Sequence, residues 1–128
     1  MRLRLDTNIV LFILMDDPRL KPATLARINN TSTERLVSIV TLWELAIKSG
    51  TGRLPIHAAA VVAVLESSRL SLLPLDIAHV LALDTLPMDP LHSDPFDRLL
   101  LAQAKVEGLT LVTSDAHLAA YGVPVIPA

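Results

Sequence analysis

The sequence predicts an α/β fold, with a parallel central sheet of four to five strands and helices on both faces. Three observations predict it. Short β-rich segments alternate with longer apolar helical ones along the chain, the pattern of strand–crossover–strand units. The nine prolines and four glycines fall between the periodic segments rather than within them, where chain-bending residues belong. Hydrophobic residues make up 52% against 19% charged and 3% aromatic, which is too apolar for disorder and implies a core of Leu, Val, Ile and Ala. A length of 128 residues suits one domain spanning 1–128.

The elements follow in order. Residues 2–6 (RLRLD) alternate polar and apolar and read as a short strand. Residues 8–16 read as a helix, apolar on nearly all sides and so buried. Pro22 opens a second helix, to about residue 30. Residues 35–40 (RLVSIV) form a strand, and 41–49 a helix closed by Gly50. A helix over 57–69 precedes a short strand at 71–73. Residues 76–86 are helical, with Asp76 as N-cap, and 87–94 (PMDPLHSD) form a loop. Residues 95–107 form a helix stopped by Gly108, and 109–113 (LTLVT) give the clearest strand. A short helix over 115–121 ends at Gly122, and 123–126 add an edge strand limited by Pro124 and Pro127.

Composition excludes several function classes. The absence of cysteine removes disulfide scaffolds, thiolate zinc sites and cysteine nucleophiles. The apolar run 9–15 follows Arg2 and Arg4 like a weak signal peptide, but Asp6 interrupts the approach to it and Asp16 and Asp17 close it. It also falls far short of a membrane span, so a cytoplasmic protein without a membrane role is expected. Net charge is -2, unlike a protein that holds nucleic acid by bulk charge. A polyanionic substrate would need a local basic patch or bound cations.

Acids stand where strands end. Asp6 terminates the first strand, Glu44 lies one turn beyond the second, and Asp115 follows LTLVT. Asp97 lies in the first turn of the helix opened by Asp94-Pro95. In a parallel sheet these junctions share one edge. Converged carboxylates repel one another, and a hard divalent cation such as Mg²⁺ or Mn²⁺ relieves that repulsion. Each acid also has a capping alternative. Asp6, Asp94 and Asp115 could each cap the helix that follows, and Thr41-Leu-Trp-Glu44 fits a capping box. Spacing leaves both readings open. His57, His79 and His117 show no clustering at ligand spacing.

The ordered set Leu5-Asp6-Thr7-Asn8, Trp43-Glu44-Leu45-Ala46-Ile47-Lys48, Asp94-Pro95-Phe96-Asp97-Arg98-Leu99-Leu100 and Leu111-Val112-Thr113-Ser114-Asp115 resembles the PIN-domain ribonucleases. It is most similar to the VapC toxins of type II toxin–antitoxin modules. The resemblance covers nearly the whole chain. It implies a Mg²⁺-dependent endoribonuclease, with Mn²⁺ as substitute, that tends to form a homodimer and is inhibited by a cognate antitoxin protein. Carried over residue by residue, it implies Asp6, Glu44, Asp97 and Asp115 as the catalytic, metal-holding acids, with Asp94 a competitor for the place of Asp97. Arg4 departs from the usually apolar first strand and puts that strand's full burial in question.

In-line hydrolysis of RNA is the mechanism this reading implies. Asp6 and Asp97 hold the principal metal, and Glu44 and Asp115 complete the pocket. Thr7, Asn8, Thr113 and Ser114 are candidate orienters of carboxylates or substrate. His92, Lys48, Arg53 and Arg98 are candidate phosphate contacts, each with a plain surface role as alternative. Two rivals remain. An aspartyl-phosphate enzyme of phosphatase type would want an acid where Asn8 stands, and a receiver domain would want a lysine after a late strand. A catalytically inactive RNA- or protein-binding module would keep the fold alone. Apolar positions on the helices near 9–30 and 57–70 are candidates for a partner's surface or for core.

Overall fold

The computed structural model describes residues 2–30, 32–53, 56–87 and 94–128. Five strands, β1 (Arg2–Leu5), β2 (Glu34–Ser38), β3 (Ser71–Leu73), β4 (Thr110–Thr113) and β5 (Val125–Pro127), form one sheet. All pairs are parallel, in the order β3-β2-β1-β4-β5. This is the expected α/β architecture. The first strand of the chain is central, and the chain crosses from the β3 edge to the other side of β1 to make β4. Such a switch in winding opens a crevice beyond the carboxyl ends of the two strands that flank it.

Side chains alternate across the sheet with period two. On one face Leu3, Leu5, Val37, Val112 and Ile126 pack with Ile9, Val10 and Phe12 of α1 (Thr7–Leu14). Ile28 of α2 (Pro22–Ile28), Leu45 of α3 (Ile39–Gly50) and Val61 and Leu65 of α4 (Ala58–Ser67) complete that layer. On the other face Leu36, Leu73 and Leu111 meet Leu101, Ala102 and Ala104 of α6 (Pro95–Glu107). Leu118 and Tyr121, from a 3-10 helix at Ala116–Tyr121, join them. Between β3 and α6 lies the short α5 (Ile77–Leu81), which tightens into 3-10 geometry over Ala82–Thr85 instead of running on as one helix.

Local chemistry explains most boundaries. Asp94 caps α6, Pro95 fills its first turn, and Gly108 ends it with φ +64, so its bounds match expectation. The start of α3 does not. The Ser38 hydroxyl accepts from the Val40 amide at 3.0 Å, so the helix begins at Ile39 and the expected strand 35–40 is cut short. Thr41 and Glu44 therefore lie inside α3, and the capping-box reading of that pair fails.

The question over β1 is also resolved: Leu3, Arg4 and Leu5 are all buried, with Arg4 only 1% exposed. Arg4 sits in the central strand opposite Leu36 and Leu111, and its guanidinium is satisfied from within, as described below. Among the described residues no helix is long and apolar enough to cross a membrane.

Candidate active site

The carboxyl edge of the sheet begins with Asp6. Its amide donates to the Val112 carbonyl at 3.0 Å, which extends the β1–β4 pairing and fixes the Asp6 backbone. Asp6 occupies the N-cap position of α1, yet its side chain makes no cap hydrogen bond. The carboxylate instead takes two other donors. Arg4 Nη2 reaches Oδ1 at 3.1 Å, and Thr113 Oγ1 donates to Oδ2 at 2.7 Å. Arg4 Nη1 donates to the Leu100 carbonyl of α6. Burial pushes the Arg4 pKa below its usual value, against the opposing pull of Asp6 and Asp97. A guanidinium remains charged there nonetheless.

Glu44 is buried on the first half of α3. Thr7 Oγ1 donates to its Oε1 at 2.9 Å, and Lys48 Nζ to its Oε2 at 2.9 Å, one helical turn on. The Thr7 hydroxyl also lies 3.1 Å from that of Thr41, so the start of α1 is tied to α3. From α6, Asp94 Oδ1 accepts the amides of Phe96 at 2.8 Å and Asp97 at 3.1 Å. That cap sets the turn on which Asp97 stands. Phe96 meets Trp43 edge-on, with centroids 5.0 Å apart at 78°. Each ring precedes one acid, Glu44 or Asp97, and the contact braces the two helices against each other.

These elements enclose an open pocket of about 200 Å³ lined by Asp6, Thr7, Asn8, Glu44, Lys48, Asp94 and Asp97. Three of the four expected acids are therefore brought together, with Asp94 beside them. Asp115 is not among the lining residues. Its Oδ1 accepts the His117 amide at 3.0 Å, while its own amide donates to Thr113 Oγ1 at 3.0 Å. One hydroxyl thus links Asp115 to Asp6. Asn8 Nδ2 lies 3.4 Å from Ser114 Oγ at the rim. Arg98 is directed elsewhere, to the carbonyls of Pro87 at 3.0 Å and Leu86 at 3.5 Å. Arg53 donates to Thr51 at 3.0 Å, and His92 lies outside the described residues.

The lining carries four carboxylates and the Lys48 cation, and Arg4 adds a second cation from beneath. Among the described residues, four negative charges less two positive leave a formal local balance of -2. The described lining offers carboxylate oxygens without sulfur or imidazole, the donor chemistry of a hard ion such as Mg²⁺ or Mn²⁺.

A second cluster corrects the expectation for His79. Its ring lies with Asp76 and Glu107, potential ligand atoms all within 4.8 Å of one another. His79 is 1% exposed. Its Nδ1 accepts the Asp76 amide at 3.0 Å and its Nε2 meets Glu107 Oε1 at 2.8 Å. Asp76 Oδ1 takes the amides of Ala78 and His79. This is a capping box closed by a histidine, and its hydrogen bonds are internal.

Sequence reasoning missed the parts played by Arg4, the Trp43–Phe96 pair and the His79 cluster. The Glu44–Lys48 pair had a signal in its i,i+4 spacing, and Arg4 had one in standing two residues before Asp6. The aromatic pair and the His79–Glu107 contact have none, because they join separate segments.

The PIN-domain family model matches residues 4–124. No curated protein shows significant sequence similarity to the chain. Among solved structures, the chain is similar to VapBC2 from Rickettsia felis bound to a DNA fragment from their promoter, with TM-score 0.76, 17% identity and coverage of 99% of this chain and 98% of that one. It is similar to DNA-bound VapBC from Salmonella typhimurium, with TM-score 0.70, 24% identity and coverage of 99% and 98%. For VapBC-1 from nontypeable Haemophilus influenzae the TM-score is 0.67, at 16% identity and coverage of 99% and 98%. These likenesses concern the fold.

Proposed function

The chain belongs to the PIN-domain family, and from that premise we propose that it is a Mg²⁺-dependent endoribonuclease, the toxin of a type II toxin–antitoxin pair acting in the cytoplasm. The observation that carries this reading is the pocket in which Asp6, Glu44, Asp94 and Asp97 converge. Asp6 and Asp97 are its principal metal ligands. Glu44 and Asp115 complete the acidic pocket directly or through water. A bound Mg²⁺ or Mn²⁺ would polarise a phosphoryl oxygen and acidify a water molecule.

The chain's own residues do the rest. Thr113 and Arg4 hold both oxygens of Asp6, so its orientation is set before substrate arrives, as preorganised electrostatic catalysis requires. Thr7 and Lys48 hold Glu44 in the same way. Lys48 lies at the pocket wall with its side chain 39% exposed, placed to approach a phosphate. Asn8 and Ser114 form the adjoining rim.

A cognate antitoxin and a homodimer belong to the same proposal, and both need apolar surface to cover. Trp43, Leu72, Leu75, Ile77, Val80 and Leu81 are exposed, a surface that would suit the homodimer.

The test is cleavage of a structured RNA by purified protein in Mn²⁺ and again in EDTA. Cuts that appear only with the ion and vanish in Asp97→Asn support the reading. An Asp97→Asn variant that cleaves like the wild type overturns the site, and cleavage undiminished by EDTA overturns the metal dependence. Binding of RNA without cleavage would favour the inactive module.

A further inference from the structure

We propose that Arg4 is a resident counter-cation of the acidic pocket and a positioning residue for Asp6, so that the guanidinium and the divalent ion compete for the same carboxylate charge. The inference rests on the metal-site reading above and deepens it. Its ground is the place of Arg4. The residue occupies the middle of the central strand, between Leu36 and Leu111 in register, where an apolar side chain would continue the core. A charge this buried is costly unless paired. The guanidinium spends Nη2 on Asp6 and Nη1 on the Leu100 carbonyl. Nε has no hydrogen-bond partner among the described residues.

An incompletely satisfied buried guanidinium is a poor device for stability alone. Its charge faces Asp6 and Asp97 together, the two acids expected to hold the ion. Through Leu100 it ties α6, which carries Asp97, to β1, which leads into Asp6. Both acids are therefore held in place before any ion binds. The cost is weaker attraction for the ion, since a fixed positive charge behind a ligand carboxylate repels a cation in front of it.

The experiment is titration of Mn²⁺, followed by the electron paramagnetic resonance signal of free ion, into wild type, Arg4→Gln and Arg4→Lys. Glutamine keeps a donor and removes the charge, whereas lysine keeps the charge. Arg4→Gln is expected to bind Mn²⁺ at least about tenfold more tightly, and Arg4→Lys to stay within about threefold of wild type. RNA cleavage at saturating Mn²⁺ falls in Arg4→Gln because Asp6 loses its brace.

A merely structural arginine would weaken binding or leave it unchanged when removed, and either result in folded Arg4→Gln overturns the proposal. Should Arg4→Gln be unfolded in EDTA, Mn²⁺ restores its circular dichroism while K⁺ at equal ionic strength does not; a chain that stays unfolded in Mn²⁺ also overturns it. Wild type that binds no Mn²⁺ overturns the metal-site reading itself, a result distinct from bound ion with equal affinities.

Discussion

The two ends of α6 each carry a cluster of ligand-type side chains, and they differ in how their ligand atoms are engaged. Near its start, four carboxylates face Lys48 and the buried Arg4 and retain a negative balance. At its end, Glu107 meets one histidine and Asp76, and the bonds of that group close on one another. Ten residues of helix separate Asp97 from Glu107, roughly 15 Å of rise, so the clusters are independent. The lesson is that ligand-type residues in proximity differ in what they leave open to an ion. The start of α6 presents carboxylates to an open pocket, while at the other end both nitrogens of the imidazole are already engaged within a helix cap.

That contrast predicts opposite phenotypes. The largest effect is on cleavage, where Asp97→Asn is expected to lower the rate by at least about a thousandfold while leaving thermal stability close to wild type, because Asp97 is exposed. Asp6→Asn should abolish cleavage as well, but it also strips the partner from buried Arg4. It is expected to cost about 3 kcal/mol in chemical denaturation, the low end for breaking a buried pair. Asp97 is thus the cleaner probe of chemistry.

His79→Ala reverses the pattern. Loss of a buried ring with both nitrogens engaged is expected to destabilise by about 2 kcal/mol, while cleavage per folded molecule stays unchanged. A cleavage defect in stable His79→Ala would break the comparison. Trp43→Ala is smaller again. It removes an aromatic pair worth about 1 kcal/mol beyond area, and a modest loss of cleavage is expected as the Glu44 and Asp97 helices lose their brace.

The smallest effect is expected at the Asp17–Arg19 clamp, where Arg19 lines a cleft shared with Asn8 and Ser114. Hydrogen bonding from Arg19 holds the Asp17 carboxyl below its usual value of 3.8. A depressed acid contributes stability above its unfolded pKa and loses it as pH falls through the folded one. Arg19→Ala should therefore cost a little stability at neutral pH, an effect that fades as the solution is acidified, and raise the Asp17 titration seen by carboxyl NMR.

Much of this was legible in the sequence because much of it is local. Asp94-Pro95 and Gly108 encode both ends of α6 within a few residues, and the strand-terminal acids follow from parallel topology. The start of α3 was not legible, since Ile39 and Val40 favour strands and only the Ser38 cap turns them into helix. Arg4 read as an oddity because its partner carbonyl is Leu100, and His79 read as unclustered because Glu107 lies 28 residues on. Asp115 was expected in the pocket on the same topological ground as Asp6, but its side chain takes the cap of the following 3-10 helix. Among the described residues, five of the ten exposed large apolar side chains lie at 72–81, where short α5 turns Ile77, Val80 and Leu81 outward, while the stretches 9–30 and 57–70 expose only Met15 and Val62.

The central claim is that an ion goes to the carboxylate pocket at the start of α6 and not to the histidine cluster at its end. It is tested most directly by adding substoichiometric Mn²⁺ to isotopically labelled protein and mapping paramagnetic broadening of backbone amides. Broadening centred on Asp6, Glu44 and Asp97, with the Asp76, His79 and Glu107 amides sharp, is the predicted result. Broadening centred on His79 and Glu107, with the amides around Asp6 and Asp97 unaffected, would contradict the account.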